Sequence, residues 1–437
     1  MESSEKQLAG KIKSKKAKIG VVGLGYVGLP LAHAFAEKGF QVTGMDIDQK
    51  KIQSLEKGIS YIDDIPTQSL KPLVKKKRLQ ATSDFDPIKD LDVVIICVPT
   101  PLNRAKDPDI SYIVSVTNAI QPRLHRGQLV ILESTTYPGT TEEVILPSLE
   151  KSGLKIGKDF FLCFSPERID PGNKQFHTQN IPKVVGGITA TCAQLAALLY
   201  QQITPKVVIV SSSRTAEMTK LLENTFRIVN IGMINELARV AGTLRVNIWE
   251  AIDAAKTKPF GFMPFYPGPG IGGHCIGIDP LYLSWKARMH GANLHFIDLA
   301  RRLNTEMPQY VVSQAVYALN KHCGKAISRC KVMLVGLSYK KDVSDTRESP
   351  ALDILHELTS LGAKVCYHDP HVPQIHHEGL ALKSAALTPA NLKSQDLVIL
   401  TTDHSNLDHW LIVENSKLIY DTRNILKNFK QPHIVRL

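Results

Sequence analysis

The sequence predicts an α/β protein in which two doubly wound sheets are joined by a central helical segment, and three observations carry that expectation. Short Val/Ile-rich runs alternate with helical stretches from Lys18 to about Val210. Strands vanish from about Thr215 to Leu319, where apolar residues recur at intervals of three and four, and the strand–helix alternation returns from Cys330. The corresponding boundaries are a basic tail over 1–17, a first α/β domain over 18–212, a helical segment over 213–320 and a second, smaller α/β domain over 321–437.

In the first domain the strands are KIGVV, QVTGM, DVVIICV, GQLVILES, FFLCF and KVVIV, with a helix through Phe35 after the first; this is the pattern of a parallel sheet built from βαβ units. In the middle segment Leu221, Leu222, Phe226, Val229, Ile234 and Leu237 repeat at helical spacing. In the last domain KVMLVG, a helix near Ala351 to Leu361, AKVCYHD, DLVILTT and KLIYDT restore the alternation.

At 437 residues, 43% hydrophobic and 22% charged, the chain has room for two or three domains with a sizeable buried core. It has no run of roughly 18 apolar residues and no apolar leader core, so a cytoplasmic protein is expected, with no membrane partner. Seven cysteines without any C-x-x-C indicate reduced thiols and no metal site. The net charge of +12 suits a polyphosphate ligand better than nucleic acid, because the cations cluster with glycines at strand ends and not along one helix. The lysines of the first 18 residues read as a solvated, frayed tail.

The first strand runs into Gly23-Leu24-Gly25-Tyr26-Val27-Gly28, a G-x-G-x-x-G turn followed by a helix and by a second strand ending at Asp46. Gly23 and Gly25 allow a sharp turn and close approach to a pyrophosphate, and Gly28 lets the helix pack tightly and aim its amides at the phosphates. Asp46, 18 residues beyond Gly28, accepts ribose hydroxyls and repels a 2′-phosphate, so the Rossmann-like first domain should take NAD and not NADP. Pro99 and Thr100 after one strand, and Ser134 and Thr135 after the next, sit where carboxyl ends line the cofactor crevice.

Cys275 follows two glycines in Phe265–Ile278, FYPGPGIGGHCIGI, read as an accessible loop with Asp279 four residues on. Most single cysteines are small buried apolar residues; the glycines are what favour a nucleophile here. Lys220 and Asn224 share one face of a helix by i, i+4 spacing and form a cation and an amide donor for an oxyanion. Phe164–Gly172 closes a strand with Glu167, suited to orienting water, Arg168, suited to gripping a polar group, and a second acid, Asp170. Lys340, Lys341 and Arg347 follow the strand KVMLVG, Arg423 ends the strand YDT, and a helix starts after Ser349 with Pro350 in first position. A single Gly336 rules out a second dinucleotide fingerprint there.

GLGYVG, VPTP, STTYPG, SPER, the Lys220–Asn224 block, GPGIGGHC with Asp279, and YKKDVSDTRESP resemble, in order and spacing, the UDP-glucose/GDP-mannose dehydrogenase family over about Lys18 to Arg423. The resemblance implies an NAD domain, a central segment forming the core of a homodimer, and a domain for the UDP-sugar substrate. It implies Cys275 as nucleophile, Lys220 and Asn224 steadying the oxyanion, and Asp279 with Glu167, near Thr135, handling water. It further implies that Phe265 to Gly270, including Tyr266, holds uridine, that Lys340 and Arg423 contact the nucleotide sugar, and that Arg347 reaches NAD. Lys258 falls where a basic residue is donated across the dimer. Glu167-Arg168-Ile169-Asp170-Pro171-Gly172 is similar to the N-acetylhexosamine branch, with UDP-N-acetylglucosamine ahead of UDP-N-acetylmannosamine and UDP-glucose. Gly277, where similar sequences carry proline, should loosen the backbone after Cys275. The competing expectations are a two-electron hydroxyacid dehydrogenase and a silent NAD and UDP-sugar binding protein.

Overall fold

The computed structural model describes residues 3–62, 65–103, 105–169, 175–176 and 178–437. Asp170, Pro171 and Gly172 lie outside the described residues. The chain forms two compact units, residues 1–223 with 281–292, and residues 224–280 with 293–437. The central helical segment therefore belongs partly to each unit.

The first unit holds strands β1 (Lys18–Val22), β2 (Gln41–Met45), β3 (Leu79–Thr82), β4 (Val93–Ile96), β5 (Leu129–Leu132), β6 (Phe161–Phe164), β7 (Lys183–Gly187) and β8 (Val207–Val210). Their order is β3-β2-β1-β4-β5-β6-β7-β8, so the order in which strands are added reverses between the parallel neighbours β1 and β4, where a doubly wound sheet binds its ligand. Its helices are α1 (Ser4–Lys13), α2 (Gly28–Glu37), α3 (Gln49–Glu56), α4 (Thr67–Lys75), α5 (Ser111–Ile120), α6 (Leu146–Glu150) and α7 (Ala190–Tyr200). Strand periodicity sends alternate residues to opposite faces. In β4, Val93 and Ile95 enter one apolar layer with α1, α2 and α7, whereas Val94 and Ile96 enter another with α5.

Two expectations need correction here. The sheet is not wholly parallel, because β7 pairs antiparallel with β6 and β8 follows β7. Nor is the amino terminus a frayed tail. α1 is capped by Ser3, and its Leu8 and Ile12 are 2% and 0% exposed in the core. Asp92 fastens it by accepting from Lys11 Nζ at 2.5 Å and from the Lys18 amide at 2.9 Å. Two apolar residues four apart among lysines form a narrow helical stripe, and burying such side chains outweighs the charge around them: removing one typically costs ~2–5 kcal/mol.

The second unit takes up α8 (Ser213–Leu244) from Asn224, then α9 (Ile248–Ala255), the start of α10 (His274–Met289), and α11 (His295–Cys323). Next come β9 (Lys331–Val335), α12 (Pro350–Ser360), β10 (Lys364–His368), the hairpin β11 (Gln374–His377) and β12 (Leu380–Lys383), α13 (Pro389–Ser394), β13 (Leu397–Leu400), α14 (His409–Asn415), β14 (Ile419–Asp421) and β15 (Ile434–Arg436). The order β10-β9-β13-β14-β15 is parallel throughout. It is the second common doubly wound order, with its switch point between β9 and β13. Val332 and Leu334 pack under α11 and α12, and Met333 and Val335 face the opposite layer.

Candidate active site

The turn after β1 is built for close approach. Gly23 has φ +93°, and a Cβ there would stand 2.6 Å from the Cys97 carbonyl oxygen; a Cβ on Gly28 would stand 1.8 Å from the Gly23 oxygen. Around Gly25, by contrast, a Cβ meets nothing within 4 Å. Two glycines thus close the turn onto its own sheet and helix, and the third faces open space at the head of α2, as a pyrophosphate cradle requires. Tyr26 is exposed and Val27 precedes the helix. Asp46 Oδ2 accepts from the Leu24 amide at 2.8 Å and from Lys51 Nζ at 2.9 Å, while Oδ1 accepts from the Asp48 amide at 2.9 Å. Burial works against this carboxylate, but those donors outweigh it and hold its pKa below the usual value, so an acceptor for ribose hydroxyls is kept ionised. Pro99 and Thr100 follow β4, and Ser134 Oγ, after β5, donates to the Val98 oxygen at 2.8 Å, joining the two strand ends. The residues present therefore fit a dinucleotide.

The same carboxyl edge carries the next groups. Lys220 Nζ donates to Thr135 Oγ1 at 2.5 Å. One turn earlier on α8, Glu217, completely buried, accepts from the Gly139 amide at 2.6 Å, the Thr141 amide at 2.9 Å and Thr141 Oγ1 at 2.6 Å. The STTYPG loop is thereby clamped to α8 at both ends. Glu167 is not a loose surface acid: Oε1 accepts from the amides of Arg168 and Ile169 at 2.6 and 2.7 Å, and Oε2 from Lys183 Nζ at 3.0 Å. Arg168 forks onto Glu223, with Nη2 at 2.6 Å and Nε at 3.2 Å, and donates to the Pro182 oxygen at 2.9 Å. Sequence reasoning missed Glu133, Lys183 and Glu217. A signal existed for Lys183, a lysine heading the otherwise apolar run KVVGG, but a strand of five residues ending in two glycines is weak.

In the second unit Cys275 is exposed and stands in the first turn of α10, not in a loop. The helix amides favour an anion at this end, which suits a nucleophilic thiol. One turn on, Asp279 is 1% exposed and accepts from Asn224 Nδ2 at 2.6 Å. Gly273 has φ +81°, and a Cβ there would fall 2.7 Å from the Tyr339 ring, so the segment before Cys275 is pressed onto the loop after β9. Its amide donates to the Arg347 oxygen at 3.0 Å. Gly277 lies within α10 with open space around it, and the helix supplies the order that a loop would lack.

The segment from Phe265 to Gly270 is pinned from two sides. Phe265 packs on Phe226 with ring centroids 5.7 Å apart, and Tyr266 stacks on Trp249 at 5.9 Å while donating to Asp253 at 2.6 Å. Asn235 Oδ1 accepts from the Gly268 amide at 3.0 Å, and a Cβ on Gly268 would strike the Arg423 guanidinium at 2.3 Å. Arg423 Nε donates to the Thr401 oxygen at 3.1 Å, and burial pushes its pKa down to about 10. A desolvated guanidinium beside a loop at the carboxyl ends of β13 and β14 is a ready anion partner. Lys340 sits half-buried in the loop after β9, and Arg347 is held by Asp345 at 2.6 Å. Lys258 lies beyond α9, its Nζ 4.9 Å over the Phe260 ring. The helix expected after Ser349 is α12, with Pro350 first.

The dinucleotide cradle at the carboxyl edge of the first sheet defines the class as a dinucleotide-binding α/β protein. Comparison with known proteins narrows it. The UDP-glucose/GDP-mannose dehydrogenase family matches through its NAD binding domain over residues 17–204, its central domain over 214–306 and its UDP binding domain over 333–428. The chain is 39% identical to a UDP-N-acetyl-D-glucosamine 6-dehydrogenase of Pseudomonas aeruginosa, over 95% of this chain and 97% of that one. It is 33% identical to a UDP-N-acetyl-D-mannosamine dehydrogenase of Methanococcus maripaludis, over 94% and 93%. A solved UDP-D-ManNAc dehydrogenase of Pyrococcus horikoshii superposes with a TM-score of 0.86 at 34% identity, covering 96% of this chain and 98% of that one. The chain belongs to the UDP-glucose/GDP-mannose dehydrogenase family. It is an NAD-dependent oxidoreductase acting on a UDP-sugar.

Proposed function

We propose that the protein oxidises the primary alcohol of a UDP-N-acetylhexosamine, UDP-N-acetylglucosamine before UDP-N-acetylmannosamine, to the carboxylate through a thioester on Cys275. Relatives named for both sugars support the substrate class, and the turn Glu167-Arg168-Ile169 has the form expected of the N-acetylhexosamine branch. The single observation that carries the chemistry is Cys275: an exposed thiol at the head of α10 with the Asp279–Asn224 pair one turn behind it.

Two NAD molecules, bound in turn, would each supply an acceptor for one hydride, one per oxidation. For the first, Lys220, held by Thr135, offsets the charge left on the alcohol oxygen as its proton passes to water, and loss of the hydride turns the carbon into an aldehyde. The Cys275 sulfur then bonds to that carbon, Lys220 and Asn224 steady the oxyanion, and loss of the second hydride leaves the thioester. Water adds to the acyl carbon, the carbon–sulfur bond breaks and Cys275 departs as thiolate. Asp279 and Glu167 orient that water. The Phe265–Gly270 segment, Tyr266, Lys340 and Arg423 hold the UDP-sugar, Arg168 a polar group of the sugar, and Arg347 reaches NAD; Lys258 serves the partner subunit of a homodimer.

Purified protein given NAD and, separately, UDP-N-acetylglucosamine, UDP-N-acetylmannosamine and UDP-glucose should release two NADH per N-acetylhexosamine consumed. One NADH per sugar supports the two-electron rival, none with any sugar a silent binding protein, and turnover of UDP-glucose alone overturns the sugar assignment.

A further inference from the structure

The reversal of β7 brings a buried lysine to the reactive edge. β6 and β7 pair antiparallel with Phe164 opposite Gly186. Continuing three residues along each strand, 164 to 167 and 186 to 183, sets Glu167 opposite Lys183. A β7 parallel to β6 would have begun at the far, amino-terminal edge of the sheet. Lys183 Nζ lies 2.9 Å from Glu133 Oε2 and 3.0 Å from Glu167 Oε2, and all three side chains are below 8% exposure. One ammonium thus joins the carboxyl ends of β5 and β6. The other groups facing it are the Tyr200 ring of α7, 5.1 Å from Nζ, whose hydroxyl donates to Glu133, and the Cys97 thiol after β4.

We propose that Lys183 is a positioning residue for thioester hydrolysis: its ammonium keeps Glu167 ionised and aims that carboxylate, which accepts the hydrogen bond of the attacking water. This rests on the hydrolytic role proposed for Glu167. In the step, the water oxygen bonds to the acyl carbon, its proton passes to the carboxylate, and the carbon–sulfur bond breaks with the electron pair leaving on Cys275. A protonated Glu167 would instead donate to the water and leave it unactivated. The charge count supports the division of labour. Two buried carboxylates share one cation, so one of them is protonated readily. Burial and the neighbouring Glu167 push Glu133 up to about 7 despite Lys183, whereas burial of Glu167 is outweighed by Lys183 and the two amides, which hold it down.

The test is the pH profile of steady-state kcat, read beside the pre-steady-state NADH burst. Lys183→Met should move the acid limb upward by roughly one pH unit or more and slow steady turnover while a burst persists. Lys183→Arg should restore the wild-type limb. Glu133→Gln mimics the protonated form that Glu133, at about 7, already holds on the acid limb, so it should leave the limb in place. Combined with Lys183→Met it removes the buried cation together with its second partner, and that double variant should move the limb upward even if Lys183→Met alone does not fold. A limb that stays at the wild-type pH in the double variant overturns the proposal. If the wild type fails to make two NADH per sugar, it is the underlying function that falls; if it makes two and the limb of the double variant does not move, only the role of Lys183 does.

Discussion

Glu217 shows how a carboxylate comes to titrate near neutrality inside a protein. Burial raises its pKa to about 7, more than its three donors lower it. The sign follows from linkage: the folded state binds this proton more tightly than the unfolded chain, whose glutamates titrate near ~4.3. The associated stability is present below that value and is lost as pH rises through about 7. Unfolding free energies of the wild type relative to Glu217→Gln should therefore fall by about 3 kcal/mol between the two values. Denaturant titrations across that range check it, and a difference independent of pH would show that folding leaves the pKa of this carboxylate unshifted. The clamp on Gly139 and Thr141 also predicts that the loop carrying Thr135 loosens as the acceptor is lost. Such residues escaped the sequence reading because a glutamate on a helix is ordinarily a solvated one, and only tertiary contact reveals that Glu217 is not.

Among the elements, α8 has two apolar faces. Leu221, Ile228, Ile234 and Ala238 are buried, whereas Leu222, Phe226, Met233, Leu237, Val240 and Leu244 are 45–67% exposed. At 3.6 residues per turn the exposed six fall within about 60° of one another, a stripe along most of the helix. An apolar stripe of that length suits a protein interface, and the proposed homodimer would use it. Leu237→Glu with Val240→Glu should convert a dimer to a monomer in light scattering; a wild type that is already monomeric would contradict it. Periodicity made the long helices and the buried strands legible, since Val93–Ile96 and Leu397–Leu400 are continuous apolar runs. It did not reveal β3 (LQAT), β7 (KVVGG), the β11–β12 hairpin or β15, which are short, polar or glycine-ended; β3, β7 and β15 form against a neighbouring strand, and the hairpin pairs with itself. Cys275 was read as loop for a similar reason: Gly272, Gly273, Gly277 and Pro280 disfavour a helix locally, and packing onto Tyr339 overrides them.

At the scale of the whole molecule, two doubly wound sheets each present a switch point, β1 beside β4 and β9 beside β13, and the strongest sequence signals sit at both. The dinucleotide turn was legible because its parts are contiguous in sequence. The pairing of Asn224 with Asp279, and of Lys183 with Glu133 and Glu167, was not, because those partners are separated by many residues. The central claim is that oxidation runs through sulfur at position 275, and the rate of acid formation by Cys275→Ser tests it most directly. A serine hydroxyl is almost wholly protonated at neutral pH, so the account predicts a loss of ~10²-fold or more in sugar-acid production from the UDP-N-acetylhexosamine. Acid released at the wild-type rate would contradict it.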